Sequence, residues 1–236
     1  MSTAVVAADG GHVVPAGAHG HADTNTGISH VKLAMWAFLS SECLFFGAFI
    51  STYLIYRGRD KAVLDAAGID IEKTFDIPFT SSTSFVLLMS SLTMVLALAA
   101  IQRADHRQTR IWLGATALFG LLFISAQVYE FTNFYREGIR LQTGLFGPTF
   151  FVMTGLHGAH VTVGIFWLLQ LLYRSLQGRL GPEHSEAVEV AGLYWHFVDI
   201  VWIVIFTVIY LVPYSLGIHE YRGGRTRVRR RPRSDE

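Results

Sequence analysis

Five stretches of this 236-residue chain are long and apolar enough to cross a bilayer, and no other feature narrows the fold as far. A hydrocarbon core of about 30 Å is spanned by about 20 apolar helical residues. The stretches are residues 33–56, 79–102, 111–129, 141–173 and 190–214. The first contains one formal charge, Glu42, and the second contains none. The third ends on Glu130, the fourth carries His157 and His160 but no Asp, Glu, Lys or Arg, and the fifth carries His196 and Asp199. Backbone in hydrocarbon must bond to itself, and the alternation of a transmembrane barrel is absent, so these stretches read as helices. The expected fold is all-α: a polytopic membrane protein built as a bundle of five transmembrane helices. Composition agrees, since 16% of the residues are charged where a soluble domain has about 25%. That deficit excludes a disordered chain and a nucleic-acid-binding domain. The single cysteine, Cys43, allows neither an internal disulfide nor a multi-cysteine metal site.

Outside the spans, residues 1–29 are rich in Gly, Ala and His and lack the apolar core of a signal peptide, so they read as a flexible arm. His12, His19 and His21 in that arm are read as part of a solvated low-complexity segment. The organisation expected is an arm over 1–29, a five-helix domain over 30–215 and an Arg-rich tail over 216–236. A short interfacial helix is expected near 61–67, a tight basic turn over 103–110, and a turn at Gly181-Pro182 within polar residues 174–189. Seven arginines after Tyr221 would put the C-terminus in the cytoplasm by the positive-inside rule. Arg103, Arg107 and Arg110 lie on the opposite face and argue the other way.

Ionisable groups at membrane depth are costly and normally face the bundle interior with a partner or a task. Glu42, in the middle of LSSECLFF, reads as a proton-handling, carbodiimide-reactive carboxylate or as an acid hydrogen-bonded to a neighbouring helix. Three polar pairs recur at i and i+3, a spacing that sets two side chains on one helical face: Gln127 with Glu130, His157 with His160, and His196 with Asp199. The last pair reads as self-satisfied. A metal bound by His157, His160, His196 and a carboxylate is chemically conceivable, but no Glu-x-x-His occurs in these spans and interhelical hydrogen bonding is the stronger reading. Gly155, Gly158 and Gly164 would allow close helix approach. Trp36, Trp112, Tyr173 and Tyr214 read as an interfacial belt. Arg174 and Arg179 are candidates for holding a lipid phosphate.

Four blocks, WAFLSSECLFF (36–46), QVYEF (127–131), GPTFFVMTGLHGAHV (147–161) and YWHFVDIVW (194–202), together resemble subunit III of the haem-copper oxygen reductases, the cytochrome c oxidase subunit III family. The resemblance covers residues 30–215. It implies an integral, permanently assembled subunit of a proton-pumping terminal oxidase that reduces O2 to water, in a bacterial plasma membrane, with no catalytic residue or metal of its own. Haem and copper would reside in partner subunits I and II. The chain would stabilise subunit I, bind phospholipid and support proton uptake. By the same resemblance Glu42 is the family's buried carboxylate. Gln127, Glu130, His157, His160, His196 and Asp199 are its other buried polar positions, and Arg174 stands where relatives place a basic residue near lipid phosphate. The family topology implies a cytoplasmic N-terminus and a periplasmic Arg-rich tail, which would be free to meet cytochrome c or another respiratory complex. Many members have seven helices, and this chain resembles the five-helix form that lacks the first pair. Glu42 and Tyr194-Trp195-His196 look more like the cytochrome c branch than the quinol branch. A subunit serving a quinol oxidase or a nitric oxide reductase is the alternative, as is a free-standing transporter with Glu42, Glu130 and Asp199 as a proton relay. The transporter reading expects internal repeats or broken helices, and the sequence shows neither.

Overall fold

The computed structural model describes residues 29–57, 76–136 and 146–211. The N-terminal arm, the proposed helix near 61–67, Tyr214 and the Arg-rich tail lie outside the described residues. Among the described residues are five helices long and apolar enough to cross a membrane: α1 (His30–Arg57), α2 (Ile77–Gln102), α3 (His106–Arg136), α4 (Phe146–Leu176) and α5 (Ser185–Phe206). A single π-helical turn, Thr207–Leu211, extends α5 to the end of its span. The all-α, five-span reading is correct.

Several helix ends have a local cause. The Asp76 carboxylate accepts a bond from the Phe79 amide at 3.1 Å, and Pro78 sits in the first turn, where its missing N–H costs nothing. The α2–α3 turn is shorter than the sequence suggests. It closes over Arg103–Asp105, with Ala104 at φ 58° and the Asp105 side chain capping the Gln108 amide at 3.0 Å. Arg107 and Arg110 therefore lie on α3 rather than in the turn. After α4, Gly178 takes φ +70°, a left-handed conformation natural to glycine, and lets the Arg179 amide bond back to the Arg174 carbonyl at 3.0 Å. A 3-10 turn, Pro182–His184, then leads into α5.

Helices α2 to α5 close into a four-helix ring, α2 on α3, α3 on α4, α4 on α5 and α5 back on α2, while α1 lies outside against α4 and α5. Trp195 of α5 fills the centre of the ring. A methyl group on Gly120 of α3 would stand 2.7 Å from its indole, and one on Gly164 of α4 would stand 2.8 Å away. Both glycines are therefore needed for the indole to fit, as expected for Gly164, whereas Gly120 was not anticipated. Gly158 similarly makes room for the Gln127 amide, but Gly155 faces open space and does not mediate packing.

Candidate functional site

Among the described residues, three groups of polar side chains gather at membrane depth inside the bundle or at its helix seams. The first is between α1 and α4. Glu42 Oε2 lies 3.3 Å from His160 Nε2, both side chains being mostly buried. Phe46 closes this seam with its ring edge-on to the imidazole at 5.2 Å. His160 Nδ1 is 2.8 Å from the Leu156 carbonyl oxygen, which can only accept, so Nδ1 carries a hydrogen. The approach of Nε2 to the carboxyl oxygen is an ion-pair contact and not a well-formed hydrogen bond. It lies at mid-membrane, and α1 supplies only half of it.

The second place is the interior of the ring. Ser84 and Ser90 of α2 saturate both sides of their hydroxyls. Ser84 donates to the Thr80 carbonyl at 2.6 Å and accepts from Trp202 Nε1 at 2.9 Å. Ser90 donates to the Leu87 carbonyl at 2.5 Å and accepts from Trp195 Nε1 at 2.9 Å. Thr93 and Thr116 join α2 to α3 at 2.8 Å, and Gln127 Nε2 joins α3 to the Thr154 carbonyl of α4 at 2.8 Å. His157 is 0% exposed, stacked on Trp202 at 4.9 Å and edge-on to Phe123, and neither ring nitrogen is hydrogen-bonded. Asp199 is buried, and neither carboxyl oxygen makes a well-formed hydrogen bond. The Ser91 hydroxyl stands beside it but is bonded at 2.5 Å to His196 Nδ1.

The third place is near the end of the bundle where α1, α3 and α5 terminate. There the Glu130 carboxyl oxygen accepts from Thr80 of α2 at 2.6 Å and from Tyr210 of the π-helical turn at 2.9 Å. This bond ties the last turn of the fifth span back to α3.

These contacts correct the sequence reading in one respect. None of the three i, i+3 pairs acts as a pair. Residues three apart on a helix differ by about 60° in direction, and in a closed ring that angle separates one neighbour from the next. Gln127 turns to α4 while Glu130 turns to α2 and α5. His157 turns inward while His160 turns to α1. His196 turns to Ser91, so the self-satisfied pair with Asp199 is not formed. The imagined set of His157, His160, His196 and a carboxylate is dispersed accordingly, and among the described residues no three His, Cys, Asp or Glu side chains converge on a common point. Glu42, Glu130 and Asp199 likewise belong to separate places in the bundle, and among the described residues no hydrogen-bonded path joins them.

Arg174 and Arg179 are exposed at the end of α4 and in the turn after it. Arg110 Nε donates to the Ser175 carbonyl at 3.1 Å and so brings the start of α3 beside them, which spacing could not reveal. Thr80, Ser84, Ser91 and Tyr210 were also missed. The signal for the first three was the recurrence of hydroxyl residues along one side of a helix that has no formal charge.

The family model for cytochrome c oxidase subunit III matches residues 11–214. The chain is 35% identical over 180 residues to cytochrome c oxidase subunit 3 of Bacillus sp. (strain PS3), covering 76% of this chain and 84% of that protein. It is likewise 35% identical over 180 residues to quinol oxidase subunit 3 of Bacillus subtilis (strain 168), covering 76% and 86%. The probable quinol oxidase subunit 3 of Staphylococcus saprophyticus is 34% identical over 181 residues, covering 77% and 88%.

Proposed function

Since the chain belongs to the cytochrome c oxidase subunit III family and is subunit III of a haem-copper oxidase, we propose that it supports proton uptake by that oxidase through Glu42 and His160. The observation that carries this reading is the 3.3 Å contact across the α1–α4 seam, which sets a carboxyl oxygen against an imidazole nitrogen at mid-membrane between helices. Groups of this kind take up and release protons when their surroundings change, and they are kept at membrane depth only at a cost. The chain itself contributes no redox centre in this reading. Haem and copper belong to subunits I and II, and this subunit stabilises subunit I. Arg174 and Arg179, with Arg110 beside them, hold phospholipid at the membrane edge. The membrane is the bacterial plasma membrane, with the N-terminus in the cytoplasm and the Arg-rich tail outside, positioned to meet cytochrome c or a further respiratory complex.

The test is Glu42→Ala in the complete oxidase. The reduced-minus-oxidised haem spectrum is expected to be unchanged, while proton uptake slows or the number of turnovers before inactivation falls. Unchanged uptake and lifetime would remove Glu42 from this role. A tagged chain solubilised gently from native membranes should bring down haem-bearing subunits, and a colourless, solitary chain would overturn the whole reading.

For the electron donor we propose cytochrome c, on the likeness of Glu42 and Tyr194-Trp195-His196 to that branch. Relatives named quinol oxidase subunit 3 are as similar to this chain, which favours quinol as the second reading. Oxygen consumption by the purified complex with reduced cytochrome c, and separately with a quinol, decides between them.

A further inference from the structure

Among the described ionisable side chains on the outward side of α5, Glu186 and Glu189 near its start meet α1, and His196 lies deepest. It lies 15th in a candidate span of 30 residues, Pro182–Leu211, which is the middle of the membrane. Its Nδ1 is taken by Ser91. Its Nε2 has no hydrogen-bond partner among the described residues and, unlike the nitrogens of His157, is not sealed inside the ring. Whichever nitrogen carries the hydrogen, Nε2 is left with one donor or one acceptor to satisfy. Lipid chains offer neither, and polar groups in hydrocarbon are costly without a partner.

The imidazole is also centred in a pattern. Leu193, His196, Ile200, Ile203, Thr207 and Leu211 follow one another at steps of three and four, the spacing of a helix–helix seam. All six are half-buried or exposed, Ile200 at 59%. Towards the N-terminus the same side of α5 is already taken by α1, through Lys32 Nζ on Glu189 Oε2 at 2.8 Å and Ser29 on Glu186. A seam with a single polar residue at its centre is the device by which packed helices fix register. By contrast, Leu118, Leu121 and Leu122 on the outward side of α3 are apolar, and the exposed Ser125 beside them satisfies itself on the Leu121 carbonyl at 2.8 Å.

We infer that the outward side of α5 from Leu193 to Leu211 is an interface for a membrane-spanning helix of a partner subunit, which presents a hydrogen-bonding side chain to His196 Nε2 at mid-membrane. This rests on the oxidase-subunit reading, since it needs a partner in the same membrane. The occupant is a protein helix and not lipid, because the centre of the seam must be hydrogen-bonded.

The experiment places a photo-reactive benzoylphenylalanine at Ile200 in the complete oxidase, keeping His196 intact, and at Leu121 as control. Irradiation should join the Ile200 variant to another subunit of the complex, and the Leu121 variant to lipid alone. A lipid adduct at Ile200, or a dimer of this chain, in a complex that still co-purifies with haem would overturn this inference and leave the proposed function standing. Failure to co-purify with haem-bearing subunits would overturn both. Independently, His196→Leu should retain about three- to twentyfold less partner in detergent, the range of one interhelical hydrogen bond in lipid, and His196→Asn should recover most of it. Equal retention by all three proteins would also overturn the inference.

Discussion

Helix α1 and the ring of α2 to α5 are both apolar and both membrane-spanning, yet they are held in different ways. The ring interlocks. Trp195 enters clefts left by Gly120 and Gly164, and its N–H, like that of Trp202, ends on a serine whose own hydrogen is already placed. Helix α1 keeps much of its surface outward and meets the ring at fewer polar points: Glu42 on His160, Lys32 on Glu189 and Ser29 on Glu186. In lipid the hydrophobic effect does not drive helices together, so association depends on close packing and hydrogen bonds. The ring has many of both and is therefore the stable body. The α1 seam has few, and its central contact, Glu42 on His160, is not a well-formed hydrogen bond. Close packing and hydrogen bonding are thus concentrated in the ring, and α1 is held more loosely.

The largest test of this contrast is Trp195→Ala. Removing a buried Trp costs about 3–5 kcal/mol in a water-soluble core. Lipid is as apolar as the core, so the transfer part of that cost falls away while the lost packing and the orphaned Ser90 remain. About 3 kcal/mol is expected, read as a lower midpoint in thermal unfolding of the purified complex. A loss no greater than that of Glu42→Ala would show that the ring is not the stable body.

Hydropathy made this ring legible only up to a point. The five spans and the absence of charge from α2 follow directly from 20-residue apolar runs, and helix boundaries moved by a few residues because polar ends such as His106 to Arg110 continue the helix into the headgroup region. Glu42 was identifiable from its depth alone. What could not be read was direction. The i, i+3 pairs look like shared faces on an isolated helix, but with neighbours on every side a 60° difference sends His157 to Trp202 and His160 to Glu42. Serines are equally ambiguous, since each can satisfy itself on its own helix. That Ser84, Ser90 and Ser91 also serve α5 depends on which tryptophan or histidine arrives across the seam.

A smaller effect sharpens the same comparison within the ring. Trp202→Phe keeps the ring stacked on His157 and removes only the N–H that Ser84 accepts. Hydrogen bonds between membrane helices average about 0.6 kcal/mol and reach about 1.7. The site is fully enclosed, which argues for the upper part of that range, about 1.5 kcal/mol. The double variant with Ser84→Ala should cost little more than Trp202→Phe alone, because the two changes remove one bond. Additive losses would mean that the serine and the indole stabilise the ring separately.

The smallest effect is expected where α1 begins. Lys32 and Glu189 lie 2.8 Å apart at the membrane edge, with about a third of each side chain exposed. Water screens such a pair, and ordering two long side chains offsets much of the attraction, leaving about 0.2–1 kcal/mol. Lys32→Ala should therefore lower the unfolding midpoint less than Trp202→Phe, and the difference from the native chain should shrink in high salt. The ranking matters more than the size. If Lys32→Ala cost as much as Trp202→Phe and did so at every ionic strength, α1 would be fastened as firmly as the ring. The Glu42–His160 contact would then belong to a rigid seam, and the separation between a stable ring and a loosely held outer helix would no longer hold.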